Sequence, residues 1–326
     1  MIYAPVMIPT LCRYEHFVRC IESLRKNTWA KYTDIYVALD YPSKEEHWEG
    51  YNKINEYLKQ SFDEFKTFTV VKRTFNYGAA RNCIDLRMEI LEKYDTFIRT
   101  DDDCEFSPNF LEYMDKCLLK YKDDESVYGV TGYSYPIEWD ISTEYTAFKN
   151  SIIYPMWGTG FWKDKYLKME KDICEGYIRK NFKVKQSRSK MSDARYVDCL
   201  LGIYRRNKDN SWLYHITDAA CGCYIQLANK NIITPVVSKV RNYGFDGTGE
   251  YCQNTLNNKE TSNATDYDYR KQEVDQNTEF DLLVEEHYDK KTNMKLMNDF
   301  DIRTRKQITI AYLKYFIKFM MSKISS

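Results

Sequence analysis

The first 130 residues alternate between two hydrophobic periods, and that alternation constrains the fold more than any other property of the chain. Val6-Met7-Ile8 is a short apolar run. Phe17, Cys20, Ile21 and Leu24 then fall at i, i+3, i+4 and i+7, one face of a helix. Ile35-Tyr36-Val37-Ala38-Leu39 is continuously apolar and ends at Asp40, as expected of a strand covered on both faces. A helix from about Trp48 to Leu58 follows, then a strand over Phe68-Thr69-Val70-Val71 and a turn at Asn76-Tyr77-Gly78. Ala80, Ile84, Met88 and Leu91 mark the inner face of the next helix, and Thr96 to Ile98 reads as a fourth strand. Leu111, Met114, Leu118 and Tyr121 line the helix after it, and Val127-Tyr128-Gly129-Val130 is a fifth strand. Strands alternating with helices predict an α/β fold with a mostly parallel central sheet flanked by helices.

In such sheets ligands bind beyond the carboxyl ends of the strands. Thr10, Arg13, Asp40, Asn76 and the triplet Asp101-Asp102-Asp103 all fall just past strand ends, so a single edge gathers them. Three adjacent carboxylates repel one another, and nothing in a fold requires them at a strand end. A divalent cation reconciles them, because hard oxygen ligands suit Mg²⁺ or Mn²⁺. Mg²⁺ is usually held by one or two carboxylates plus substrate phosphates, which points to a phosphate-bearing ligand. The plainer alternative is a solvated acidic loop. Ser107-Pro108 reads as the N-cap and first position of the following helix.

Composition narrows the classes. The chain carries 48 basic and 48 acidic side chains, without the basic excess of a nucleic-acid binder. Ten cysteines sit at irregular spacings with no CxxC, and Cys221 and Cys223 lack the histidine partners of a zinc site. They read as reduced thiols, so a cytoplasmic protein is expected. Neither a secretory leader nor a bilayer-spanning stretch is recognisable.

Past residue 135 the pattern loosens. Trp157-Gly158-Thr159-Gly160-Phe161-Trp162 reads as an aromatic, glycine-rich turn, and a polar stretch runs from Lys163 to Lys190. Helices are expected near Ala194 to Arg206 and from Asp218 to about Asn229, with a strand over Ile232 to Val237. This divides the chain into an α/β half (1–135), a second half of the same domain (136–252), a loosely packed polar extension (253–302) and a tail (303–326). In the tail Arg303, Gln307, Lys314 and Lys318 share one helical face, with Ile308, Tyr312, Leu313, Phe316, Phe319 and Met320 opposite. That pattern suits an anionic membrane surface, here the inner face of the cell membrane; docking on the core is the alternative.

Four segments together resemble nucleotide-sugar glycosyltransferases of the Rossmann-like GT-A fold: Pro9-Thr10, Asn76-Tyr-Gly-Ala-Ala-Arg81-Asn82, the Asp triplet, and Asp218 followed by Ile233-Thr-Pro235 and Asn242-Tyr-Gly-Phe-Asp-Gly-Thr-Gly249. The second is similar to the N-x-G-x-x-x-A-R-N segment of inverting enzymes with one spacer fewer, the third to a D-x-D or E-D-D metal motif. The last looks like the acceptor half of bacterial capsule and surface-polysaccharide transferases and of Golgi N-acetylglucosaminyltransferase I. The resemblance covers roughly residues 1 to 252. It implies that Pro9, Thr10 and Arg13 lie beside the nucleotide, most often UDP in the family, and that Asp40 bonds base or ribose. Asn76, Gly78 and Arg81 would shape the donor pocket, Asp101 and Asp102 would hold ribose and donor sugar, and Asp103 would bind Mn²⁺ or Mg²⁺. Asp218 stands where the family keeps its catalytic base. Two departures are visible: Thr217 replaces an aromatic or acidic residue before the base, and Gly249-Glu250-Tyr251 offers no histidine to complete a metal site.

The chemistry implied is inverting transfer from a nucleotide sugar to a glycan or lipid-linked glycan. A cation offsets the charge on the leaving diphosphate, and a carboxylate base activates a poorly nucleophilic hydroxyl. From spacing alone, Asp218 reads first as the N-cap of its helix, and only the resemblance puts the catalytic base ahead of that. Trp157, Gly158, Gly160 and Tyr133, with Tyr135 and Trp162 nearby, are the candidate acceptor surface; core packing is the alternative for the rings. Arg81 is a candidate phosphate ligand or the partner of Asp85. Two other classes share parts of this pattern. A sugar nucleotidyltransferase would place a glycine-rich loop after the first strand, where Ile8-Pro9-Thr10-Leu11 has no glycine. A non-catalytic nucleotide or glycan binder would keep the fold without the base.

Overall fold

The computed structural model describes residues 3–151, 156–181, 218–249 and 268–288, together with helical positions 310, 313, 317, 320 and 321. The expected alternation is present as β1 (Val6–Thr10), α1 (Tyr14–Arg25), β2 (Asp34–Leu39), α2 (His47–Tyr57), β3 (Thr67–Lys72), α3 (Gly78–Leu91) and β4 (Thr96–Arg99). β5 (Cys104–Phe106), α4 (Phe110–Lys120) and β6 (Val127–Thr131) follow, then β7 (Ala147–Asn150), β8 (Thr159–Trp162), α5 (Lys163–Cys174) and α6 (Tyr177–Asn181). The remaining elements are α7 (Asp218–Leu227), β9 (Asn231–Pro235), β10 (Val240–Asn242) and β11 (Val284–Glu285).

Nine strands form one sheet in the order β11-β7-β9-β6-β8-β4-β1-β2-β3. β3, β2, β1 and β4 run parallel. β8 inserts antiparallel between β4 and β6, and β7 is antiparallel to β9. Strand alternation sends neighbouring side chains to opposite faces. Ile8, Val37 and Ile98 join Phe17 and Leu24 of α1 and Leu111 and Met114 of α4. Met7, Ala38 and Phe97 join Leu86 and Ile90 of α3, Tyr166 of α5 and Ile225 of α7. The sheet is thus covered on both sides, which leaves its carboxyl edge as the place for a ligand.

Four expectations change. The buried face of α3 is Asn82, Leu86, Arg87, Ile90 and Leu91, while Met88 is 46 % exposed. The apolar spacing misled because two inward residues are polar. Asn82 donates to the Ala38 carbonyl at 2.9 Å and accepts from Arg73; Arg87 donates to Tyr166 at 2.8 Å and Glu170 at 2.7 Å. Ser107-Pro108 does not open a helix. Ser107 donates its hydroxyl to Asn109 and its carbonyl accepts from Phe110, so a turn precedes α4. The stretch through Trp162 is not wholly a turn: residues 159–162 form β8, where Gly160 lets Met114 and Leu118 pack against the strand. The polar extension is packed over residues 268–288, because Tyr269, Val274, Phe280 and Val284 are buried and β11 joins the sheet beside β7. The helix expected over 194–206 and the rest of that extension lie outside the described residues.

Asp115 of α4 supplies a pH prediction. Its Oδ1 accepts from the Ala4 amide at 2.9 Å, whereas its Oδ2 is buried without a hydrogen-bond partner. Burial pushes its pKa up to about 8, with the Ala4 amide pulling weakly the other way. The folded protein therefore holds a proton that the unfolded chain releases near pH ~4. That contribution is complete below pH ~4 and is lost as pH rises through about 8. Asp115→Asn is expected to flatten this slope and to gain on the order of 4 kcal/mol over the parent at pH 8. Denaturant titrations at several pH values check it.

Candidate active site

Alternation at the end of β4 divides the Asp triplet. Arg99 and Asp101 turn toward the α3/α7 side. Arg99 Nη2 donates to Asp101 Oδ1 at 3.3 Å, and its Nη1 stands 3.6 Å from Asp218 Oδ1 at the start of α7. The Met156 amide donates to Asp218 Oδ2 at 3.0 Å. Asp102 faces α1 instead: Thr10 Oγ1 donates to its Oδ2 at 2.7 Å, and Arg13 pairs with its Oδ1. The same guanidinium donates to Asp103 Oδ2 at 2.8 Å. Asn242 Nδ2 donates to Asp103 Oδ1 at 3.0 Å, and the Tyr243 amide donates to the Asp103 carbonyl. A Cβ on Gly244 would stand 2.1 Å from Asp103 Oδ2, so only glycine lets the loop approach this closely. His16 and Asp246 bond at 2.8 Å, and Arg19 stacks on Tyr243 at 4.0 Å, tying the loop after β10 to α1.

Four carboxylates thus share this edge with two guanidiniums. Burial raises the Asp103 pKa to about 7; Arg13 opposes that shift, and Asp101 and Asp102 add to it. Asp101 is also pushed upward by burial, against Arg99 and with the charges of Asp218 and Asp102. Burial would weaken the proton affinity of Arg13, but Asp102 and Asp103 more than reverse this, so it stays charged. The edge therefore carries more negative charge than its arginines offset, and its exposed donors are hard oxygens: the Asp101 and Asp218 side chains are 34 % and 42 % exposed. Among the described residues no group of three or more His, Cys, Asp and Glu could by itself hold a metal ion. A Mg²⁺ or Mn²⁺ ion at this edge would need further ligands, such as substrate phosphates. Direct contact with Asp103 requires Arg13 to leave its Oδ2, and a guanidinium so released can reach phosphate.

The other sequence candidates divide. Asp40 lies at the edge, but its carboxylate is consumed internally. Its Oδ1 accepts from the Tyr41 and Tyr77 amides, both at 2.8 Å, and its Oδ2 from the Gly78 amide at 2.9 Å and Asn76 Nδ2 at 3.4 Å. Asn76 donates in addition to the Tyr41 carbonyl at 2.6 Å. Gly78 adopts a φ of 75°, which the turn into α3 needs. Asp40, Asn76 and Gly78 thus form a clamp joining the loops after β2 and β3. Pro9 sits in β1 beside Ala38. Arg81 is exposed, lies 3.4 Å from Asp85 and stacks over Tyr77 at 4.3 Å. Tyr133 and Trp162 are core, Trp162 donating to the Leu118 carbonyl. Trp157 is partly buried against Tyr133, Phe245 and Tyr269. Gly158 has a φ of 61° and abuts Phe110, while Gly160 packs on α4, so both serve packing.

Sequence reasoning passed over Arg99 and Asn242. The signal for Arg99 was present: a cation closing an apolar strand two residues before an acidic triplet shares the parity of its first carboxylate.

The sequence matches no protein-family model and no curated protein. Partial likeness to solved structures is found. The crystal structure of S. aureus TarS aligns at 13 % identity over 44 % of this chain and 24 % of that one, with a TM-score of 0.30. Residues 1–349 of TarS align at 13 % identity over 53 % and 50 %, TM-score 0.34. The mannosyltransferase PcManGT from Pyrobaculum calidifontis, in complex with GDP-Man and Mn²⁺, aligns at 14 % identity over 50 % and 45 %, TM-score 0.36. The alignments span half or less of each of those chains.

Proposed function

We propose that the protein is an inverting glycosyltransferase that uses a nucleotide sugar and a divalent cation to extend a glycan or lipid-linked glycan of a surface polysaccharide. The observation that carries this reading is the sheet edge itself. It holds an under-compensated carboxylate cluster suited to a cation and a phosphorylated ligand, with a further carboxylate, Asp218, across Arg99 from Asp101. Asp218 accepts the proton of the acceptor hydroxyl as that oxygen bonds to the anomeric carbon. The bond from that carbon to the diphosphate breaks in the same step, so the configuration inverts. Asp101 and Asp102 would hold the donor's ribose and sugar, Asp102 once Arg13 leaves its Oδ1. Asp103 would hold the Mn²⁺ or Mg²⁺, which supplies Lewis-acid stabilisation of the diphosphate charge. Arg13 exchanges its carboxylates for phosphate, and Trp157 offers the acceptor a ring.

A screen of UDP- and GDP-sugars for nucleoside diphosphate release, with Mn²⁺, Mg²⁺ or EDTA, tests this. The reading expects cation-dependent release from one donor that an acceptor glycan accelerates, and release indifferent to EDTA contradicts it.

The reading extends to a peripheral place on the inner face of the cell membrane. Among the described residues no helix is long and apolar enough to cross a membrane. Helical positions Ile310, Leu313, Ile317, Met320 and Met321 are all at least 41 % exposed. At helical spacing Arg303, Gln307, Lys314 and Lys318 fall opposite Ile308, Tyr312, Leu313, Phe316, Phe319 and Met320, the sequence pattern of a helix that lies in an anionic interface. Co-sedimentation with phosphatidylglycerol vesicles is expected for the full chain and not for Lys314→Glu/Lys318→Glu. Equal recovery of both contradicts the membrane assignment.

A further inference from the structure

The geometry points to Arg99 as the positioning residue of the transfer, holding the Asp218 carboxylate at a fixed place relative to the donor-side carboxylate Asp101. This rests on the reading of Asp218 as the base. Arg99 is the last residue of β4, hydrogen-bonded into the sheet between β1 and β8, so its Cα is among the best-fixed points of the edge. Its side chain leaves the sheet on the α3/α7 side and spans two carboxylates from elements far apart in sequence. Asp101 accepts at 3.3 Å and Asp218 lies at 3.6 Å. The same guanidinium donates to the Met156 carbonyl at 3.5 Å, and the Met156 amide donates to Asp218 Oδ2 at 3.0 Å. Arg99, Met156 and Asp218 thus close a ring of polar contacts that fixes the carboxylate from two sides. Burial alone would lower the proton affinity of Arg99, but Asp101, the neighbouring Cys83 and Asp218 raise it above its ordinary value, so it remains a cation.

Asp218 needs such support because it is the first residue of α7, where the amides of the first helical turn compete for its side chain. A carboxylate rotated onto its own helix cannot reach an acceptor hydroxyl. A planar guanidinium suits the task better than an ammonium, because it offers separate N–H groups to two carboxylates in fixed directions. A base misplaced by about 1 Å loses on the order of 10²-fold in rate. The loss falls mainly on kcat, because Asp102, Asp103 and Arg13 still serve the donor and, on that side, only Asp101 loses a partner.

The test is a double-mutant cycle of Arg99→Met and Asp218→Asn in the full chain, with thermal melts to confirm folding. Arg99→Met is expected to lower kcat about 30- to 100-fold with donor KM within about twofold, and Arg99→Lys to recover part of the loss. In the Asp218→Asn background, Arg99→Met is expected to cost less than about twofold more, since the group it positions is gone. An unchanged factor in that background overturns the proposal, as does a loss carried by KM, which would place Arg99 on the donor itself. Asp218→Asn with full activity removes the base reading and the positioning role together, while failure of the cycle alone leaves that reading standing. Should Arg99→Met not fold, Arg99→Lys and Arg99→Gln carry the same cycle.

Discussion

Asp218→Asn is expected to lower turnover about 10³-fold and to leave the donor KM within about twofold, the mark of a lost general base. The substitution is close to neutral in structure. Asparagine keeps a carbonyl oxygen for the Met156 amide, which now donates to Asp218 Oδ2 at 3.0 Å, and keeps the side chain's volume. What it removes is the capacity to accept a proton as the acceptor oxygen attacks. Asp218 is also the most exposed of the four carboxylates of the edge. Asp102 and Asp103 are buried against Thr10, Arg13 and Asn242, and Asp101 pairs with Arg99. If transfer survives Asp218→Asn, the proton leaves by another route and the inverting scheme drawn here is wrong.

Asp40→Ala is expected to act on stability rather than on the donor. The carboxylate accepts from the amides of Tyr41, Tyr77 and Gly78 and from the Asn76 side chain, tying together two loops that leave adjacent parallel strands. Alanine strands these donors in a site where Asp40 is only 3 % exposed. Hydrogen bonds to a charged group contribute ~1.5–3 kcal/mol each, and water reaches the partly exposed loops, so a loss of about 3–5 kcal/mol is expected. Asp40→Asn is expected to recover a part, since its one oxygen can serve some of the donors. Urea unfolding with an unchanged m-value reads the difference. A variant as stable as the parent but with a raised donor KM would instead assign Asp40 to the nucleotide, as the sequence resemblance implies.

The contrast shows which parts of the molecule its sequence discloses. The parallel core from β1 to β4 was legible because period-2 and period-3.6 patterns repeat there in clean alternation, and the collected strand-end residues marked the edge. β8 was not, because two glycines and two tryptophans within six residues carry no strand signature, although Gly160 is there for α4 to pack against. The buried face of α3 was misjudged because Asn82 and Arg87 point inward to make polar contacts that a hydrophobic pattern cannot register. Within the site, residue types and their edge were readable and their partners were not. Asp40 looks the same in sequence whether it faces a ribose or three backbone amides. The triplet's division between Arg99 and Arg13 follows from strand parity, but it acquires meaning only once α7 brings Asp218 alongside.

The central claim is that this edge binds a nucleoside diphosphate together with a divalent cation at the triplet. Calorimetric titration of UDP and GDP into the protein, with Mn²⁺ and with EDTA, tests it without any knowledge of sugar or acceptor. One nucleotide is expected to bind only with Mn²⁺, and Asp103→Asn to weaken that binding at least about tenfold, roughly 1.4 kcal/mol. Affinity that is the same with EDTA, or untouched by Asp103→Asn, would contradict the assignment.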